Sequence, residues 1–223
     1  MEIDTCWYKS KCQEKCSNNC IRYKLMYSLF KQSQLPESMW KYKLLECKQD
    51  DFGAFKELTN ISKDMDSFVR VGNNLYIYSH NSGNGKTSWA VRLMFCYFDK
   101  IWHKSCFDCK ALFVNVPNFL YNCKRSISQE VKGFDELCNL ISTVDLVVWD
   151  DIAESNATSY EHQILLQYID GRINAGKSNI YTSNKDFEEL KIAVGDRLAS
   201  RVYNCSNRIL FVEEDKRGGI QSW

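Results

Sequence analysis

The stretch Leu75-Tyr-Ile-Tyr-Ser-His-Asn-Ser-Gly-Asn-Gly-Lys-Thr87 constrains this chain more than any other. It opens as an apolar, β-prone run, Leu75 to Ser79, and runs into Ser88 to Phe98, where Val91, Met94, Phe95 and Phe98 recur at helical spacing. A glycine-rich loop between strand and helix gathers backbone N–H groups and the positive end of a helix dipole around one point, which suits phosphate oxygens. Gly83 and Gly85 let the backbone come close, and Ser82, Asn84 and Ser88 complete the cradle. Lys86 would reach the β- and γ-phosphates of ATP, and the Thr87 hydroxyl would hold Mg²⁺. The pattern G-x-x-x-x-G-K-[ST] asks for glycine at position 80, where this chain has His80. A residue with a Cβ takes that turn without strain only if its φ stays negative.

Four further apolar segments alternate with helical patterns: Ala111–Val116, Asp145–Trp149, Asn179–Ser183 and Arg208–Val212. Five strands with intervening helices imply an α/β fold, a parallel sheet sandwiched between two helical layers. Phe134–Ile141 is predicted to bury Leu137, Leu140 and Ile141, and Tyr160–Ile173 aligns Ile164, Leu165, Tyr168, Ile169 and Ile173.

The chemistry clusters at strand ends. Asp145-Leu-Val-Val-Trp-Asp-Asp-Ile152 is an apolar strand closing on two carboxylates, and in a parallel sheet that end faces the phosphate loop. Asp150 would hold Mg²⁺ indirectly, and Asp151 would orient and deprotonate an attacking water. Ile180-Tyr-Thr-Ser-Asn184 ends in an amide that would hydrogen-bond that water or the γ-phosphate. Arg197 and Arg201 stand four residues apart on one helix face, and a guanidinium fork matches phosphate geometry.

Composition narrows the rest. The formal net charge of +1 points to no bulk attraction for nucleic acid, so any such contact needs a local patch. No apolar run approaches the ~20 residues that cross a bilayer, and the first residues do not read as a signal peptide, so a cytoplasmic protein without membrane contact is expected. Eleven cysteines then read as thiols or metal ligands rather than disulfides. Cys6, Cys12, Cys16 and Cys20 are candidate Zn²⁺ ligands, although three of them recur every four residues. A continuous helix would spread those three over about 12 Å, so a tetrahedral site requires a break, placed at Asn18-Asn19. Buried free thiols on a helix are the competing reading. Ile21, Leu25 and Leu29, with Met26 and Phe30, predict an amphipathic helix closed by Pro36. Residues 1–50 hold nine Lys or Arg against six Asp or Glu, a mild excess that suits a docking surface or a solvated face equally. Cys106 and Cys109 lack a second ligand pair nearby and read as incidental thiols.

Taken together, the phosphate loop, Val147-Val-Trp-Asp-Asp-Ile-Ala, Thr182-Ser-Asn and Asp196-Arg-Leu-Ala-Ser-Arg resemble the DnaC/DnaI family of replicative helicase loaders. That family is a branch of the AAA+ ATPases related to the DnaA initiator, and the match covers roughly residues 65–217. The resemblance implies an AAA+ three-layer core with a five-stranded parallel sheet in the order 5-1-4-3-2. It also implies a small, mainly helical, cysteine-rich helicase-docking domain at residues 1–48. Residues 49–68 would be a linker and leading helix, and 69–223 an ATPase domain without the family's full C-terminal lid. Arg201 would be the finger reaching a neighbouring subunit's γ-phosphate, with Arg197 as runner-up, so homo-oligomers would form through the ATP sites. Arg217 looks like the family's late nucleotide-sensing arginine. The partners implied are a hexameric replicative helicase and single-stranded DNA, for which Lys124 and Arg125 beside Tyr121 are candidate contacts. A phage-encoded member would fit the compactness. The alternatives are an IstB-like transposition helper, a P-loop kinase, which leaves Thr182-Ser-Asn and the arginine pair unexplained, and an adaptor or inhibitor that binds ATP without hydrolysing it.

Overall fold

All five strands run parallel in the spatial order β2-β3-β4-β1-β5, with β1 Asn74–Tyr78, β2 Ala111–Asn115, β3 Leu146–Asp150, β4 Ser178–Ser183 and β5 Asn207–Leu210. This is the expected sheet order. The computed structural model describes residues 6–8, 12, 19–40, 49–153 and 158–214. Parallel strands covered on both faces become apolar throughout, and every residue of β3 and β4 is buried. Successive side chains still part to opposite faces. Leu75 and Ile77 of β1 join one core, and Tyr76 and Tyr78 the other.

The first core lies under α1 Ile21–Gln32, α2 Phe52–Lys63, α3 Met65–Arg70 and α4 Lys86–Ile101. The second lies under α5 Val116–Ser126, α6 Phe134–Thr143, α7 Ser159–Asn174, α8 Phe187–Val194 and α9 Asp196–Asn204. On α6, Phe134 and Ile141 are buried, while Leu137 and Leu140 pack there half-exposed. The strand expected at Asp145–Trp149 lies one residue later, because Asp145 is drawn into an ion pair with Lys177 at 3.0 Å. That offset makes Asp150 the last residue of β3.

The predicted N-terminal helix is present as α1, with one correction. Leu25, Met26, Leu29 and Phe30 are buried, but Ile21 is 57% exposed. At 100° per residue, Ile21 falls roughly 110° from the centre of the buried arc. Arg22 takes the central place, stacked 3.5 Å over the Tyr8 ring and paired with Asp99 of α4 at 3.0 Å; Asp99 also accepts the Tyr8 hydroxyl. Burial and the Asp99 charge both push the Tyr8 hydroxyl well above its ordinary range. Trp7 stacks on Phe30, which meets Phe98 edge to face. The Ser33 carbonyl then accepts the Phe113 N–H at 2.7 Å, covering the otherwise open β2 edge. The described part of the N-terminal segment therefore shares the core of the sheet rather than having one of its own.

Where β3 and β4 begin, Arg172 of α7 is 1% exposed. Its guanidinium donates to Asn179 Oδ1 at 2.7 Å and to the carbonyls of Ile141, Val144 and Ser178 at 2.6, 2.9 and 2.7 Å. Burial pushes its pKa down to about 10, with Tyr181 and Asp145 working the other way. One side chain thus ties α6, the entry to β3, α7 and β4 together. Arg172→Leu strands these acceptors without a donor and should cost about 3 kcal/mol or more, read from the denaturant midpoint; a loss below about 1 kcal/mol would show that water replaces the guanidinium.

Candidate active site

The phosphate loop leaves β1 at Tyr78 and enters α4 at Lys86, with Gly83 at φ 70° and Gly85 at φ 102°. These are left-handed conformations that glycine adopts freely. His80 has no positive φ, so the strain expected at the loop entry is absent. Its imidazole instead faces Glu189 Oε2 at 3.4 Å and Asp186 Oδ2 at 4.0 Å, at the start of α8.

The loop is braced from inside. Asn84, fully buried, donates to Ser79 Oγ at 2.6 Å and to the Glu213 carbonyl at 3.3 Å. Asn81 donates to the carbonyls of Val212 and Glu213. Those two residues donate their own N–H groups to the buried carboxylate of Asp51. Lys86 Nζ donates to the Asn81 carbonyl at 2.8 Å and Asn84 Oδ1 at 3.2 Å, so the ammonium is already lodged in the cradle. Ser88 is buried behind it and Ser82 is exposed on the rim.

Asp150 and Thr87 meet as the sequence implies. Asp150 is 4% exposed, and its Oδ1 accepts the Thr87 hydroxyl at 2.8 Å and the Thr182 hydroxyl at 2.7 Å. A magnesium ion takes hard oxygen donors, typically one or two carboxylates with waters and phosphates, and this pair fits that chemistry. Asp151 follows at φ 58°, its N–H donated to Thr182 Oγ1 at 3.0 Å. Asn184 lies half-buried beyond the end of β4, and its amide oxygen is buried with no partner among the described residues. A buried acceptor left unpaired is costly, and a ligand donor would satisfy it.

Two features escaped the sequence reading. Thr182 enters the sequence reading only as part of Thr182-Ser-Asn, and its hydrogen bonds to the two adjacent aspartates exist only in the fold. The Asn81, Asn84 and Glu213 brace joins segments more than 120 positions apart, which no local pattern can reveal.

Other expected site residues lie elsewhere. Arg201 Nε of α9 sits 2.8 Å from Asp170 Oδ1 of α7, and the more exposed Arg197 lies 4.0 Å from Asp170 Oδ2. Lys124 pairs with Glu161 at 3.0 Å, and Arg125 lies over the exposed Tyr121 ring at 5.7 Å. Desolvation opposes the Glu161 charge, but the Thr158 amide and hydroxyl and the Lys124 ammonium together hold its carboxyl below the ordinary range. Cys6 and Cys20 are half-buried and Cys12 exposed, and among the described residues the cysteines form no ligand cluster able to hold a metal. Cys16 and Arg217 lie outside the described residues.

The chain is 30% identical over 145 residues to the replicative helicase loader DnaC of Buchnera aphidicola subsp. Baizongia pistaciae, which is 64% of this chain and 52% of that protein. To the replicative helicase loader DnaC of Escherichia coli K12 it is 26% identical over 127 residues, 57% and 49% of the two chains. The chain resembles DnaC-type helicase loaders. It spans about half the length of these curated relatives. The crystal structure of the DnaC helicase loader superposes with a TM-score of 0.65 at 16% identity, covering 78% of this chain and 99% of that one. DnaI gives 0.62 at 18% identity over 82% and 95%. AMPPCP-bound DnaA from Aquifex aeolicus gives 0.61 at 19% identity over 78% and 50%. The fold, an α/β core on a five-stranded parallel sheet, is the one shared by these DnaC, DnaI and DnaA structures, as expected. No family model matches the chain. Among the described residues no helix is long and apolar enough to cross a membrane.

Lys86→Ala removes the cation already lodged in the loop. Affinity for a fluorescent ATP analogue should fall roughly 100-fold, and an unchanged affinity would overturn the phosphate-loop assignment.

Proposed function

We propose that this chain is an ATP-hydrolysing loader that binds a replicative ring helicase and delivers it onto single-stranded DNA. The observation that carries the reading is the convergence of Thr87 and Thr182 on the buried Asp150, at the carboxyl ends of parallel strands and beside a preformed phosphate loop. The likeness to DnaC-type loaders over 64% of the chain supports the helicase as partner.

In this mechanism the loop amides and Lys86 bind the triphosphate, and Thr87 and Asp150 would hold Mg²⁺. The ion, when bound, supplies charge neutralisation at the β- and γ-phosphates. Asp151 takes the proton of the attacking water as its oxygen bonds to the γ-phosphorus and the bond to ADP breaks. Asn184 donates its amide N–H to the γ-phosphate or aligns the water. Arg201 completes the site of a neighbouring copy. In the single chain it rests beside Asp170, so assembly exchanges a half-exposed ion pair, worth little, for a phosphate contact. ATP thereby becomes the assembly signal and its hydrolysis the release.

Residues 1–48 carry the helicase contact. Tyr121 and Arg125 on the exposed face of α5 offer a stacking ring and a cation to single-stranded DNA, and Lys124 joins them once released from Glu161.

Deleting residues 1–50 is a poor probe of docking, because it removes Met26, Leu29 and Phe30 from the shared core. The decisive test is capture of the cognate replicative helicase by the full chain on single-stranded DNA, with and without ATP. A nucleotide-sensitive complex supports the loader, and its absence in every condition shifts the weight to a transposition helper. Arg201→Ala should leave ATP affinity within about twofold while lowering hydrolysis in the assembled state at least ~10-fold. Equal loss of binding would place the residue in its own subunit's site.

A further inference from the structure

Thr182 sits at the centre of the site and is fully buried within β4. Its hydroxyl has one proton and two lone pairs. A carboxylate accepts and an amide N–H donates, so the directions are unambiguous. The proton goes to Asp150 Oδ1 at 2.7 Å, and a lone pair takes the Asp151 N–H at 3.0 Å. The Thr182 carbonyl accepts the Ile152 N–H, also at 3.0 Å. One residue of β4 therefore grips three consecutive residues at the end of β3.

The grip has a conformational consequence. Asp151 stands at φ 58°, a region that residues with a Cβ avoid, and Ala153 follows at φ 99°. The two amide bonds to Thr182 hold the turn in that region, so the placement of the Asp151 carboxylate depends on β4. Two residues further along, Asn184 presents a buried amide oxygen that has no partner among the described residues.

We infer that Thr182 is a positioning residue for hydrolysis, linking Asn184 to the aspartate pair. A displacement of the β4 end when Asn184 engages nucleotide or water is passed to Asp151 through the hydroxyl and carbonyl of Thr182. This rests on the ATPase reading above and adds to it a route by which the γ-phosphate sensor sets the base.

The test uses the full chain with single-stranded DNA. Thr182→Val keeps shape and burial and removes the hydroxyl, and Thr182→Ser restores it. We expect kcat to fall at least ~10-fold in Thr182→Val, with affinity for a non-hydrolysable ATP analogue within about threefold of wild type, and kcat to return to within about threefold of wild type in Thr182→Ser. Thr182→Val turning over like wild type, or Thr182→Ser as impaired as Thr182→Val, overturns the inference. So does a loss of affinity that matches the loss of turnover. A measurement independent of that variant's folding is the ¹⁵N amide spectrum of the wild-type chain. The Asp151 and Ile152 resonances should shift on adding the analogue and stay in place in Asn184→Ala; unmoved wild-type resonances sink the idea. A wild-type chain that binds ATP without turnover overturns the hydrolytic reading, and this inference with it, whereas turnover insensitive to Thr182→Val overturns the inference alone.

Discussion

A carboxylate can keep its charge in a protein interior only where fixed donors replace water. Asp150, at the end of a fully buried strand, has such donors in Thr87 from the helix after the phosphate loop and Thr182 from the neighbouring strand. Those two hydroxyls hold three separate segments in register: the loop-to-α4 junction, β3 and β4. The remaining site geometry follows from that register. The sheet supplies the alignment, and two apolar cores supply the energy that keeps polar groups at strand ends where water would otherwise pull them apart.

Much of this was legible in the residues themselves. The phosphate loop could be read because its chemistry is local: two glycines, a lysine and a threonine within five positions. The strands could be read because burial on both faces leaves continuous apolar runs, and the paired aspartates because they terminate one. Strand boundaries depend on partners elsewhere in the chain. Asp145 belongs to an apolar window by position, but its pairing with Lys177 leaves it just outside β3.

What stayed hidden depends on distance along the chain. Arg172 looks like a polar residue on an amphipathic helix, yet it is buried and hydrogen-bonded to carbonyls from both flanking segments. Ile21 was assigned to the apolar face of α1 by an i, i+4 count, and the centre of that face belongs to Arg22, whose aliphatic stem and cation–π contact make it the better occupant. His80, where the pattern asks for glycine, takes the loop entry without strain only at a negative φ. Its φ avoids the left-handed region, and the departure from glycine costs no backbone distortion. The four-cysteine reading rests on spacing along the chain, and the described members Cys6, Cys12 and Cys20 do not gather into a ligand cluster.

The contact of α1 with α4 has a mechanical meaning. The helix α4 is 16 residues long, about 24 Å of stiff rod, with Lys86 at one end and Phe95, Phe98 and Asp99 near the other. Those distal residues are the ones that α1 holds through Phe30 and Arg22. A force applied to the N-terminal segment therefore acts on one end of a rod whose other end is the phosphate cradle. Tilting the rod by a few degrees would move the lysine by an ångström or more, so traction from a bound partner and occupancy of the nucleotide pocket would act on the same rigid body from opposite ends.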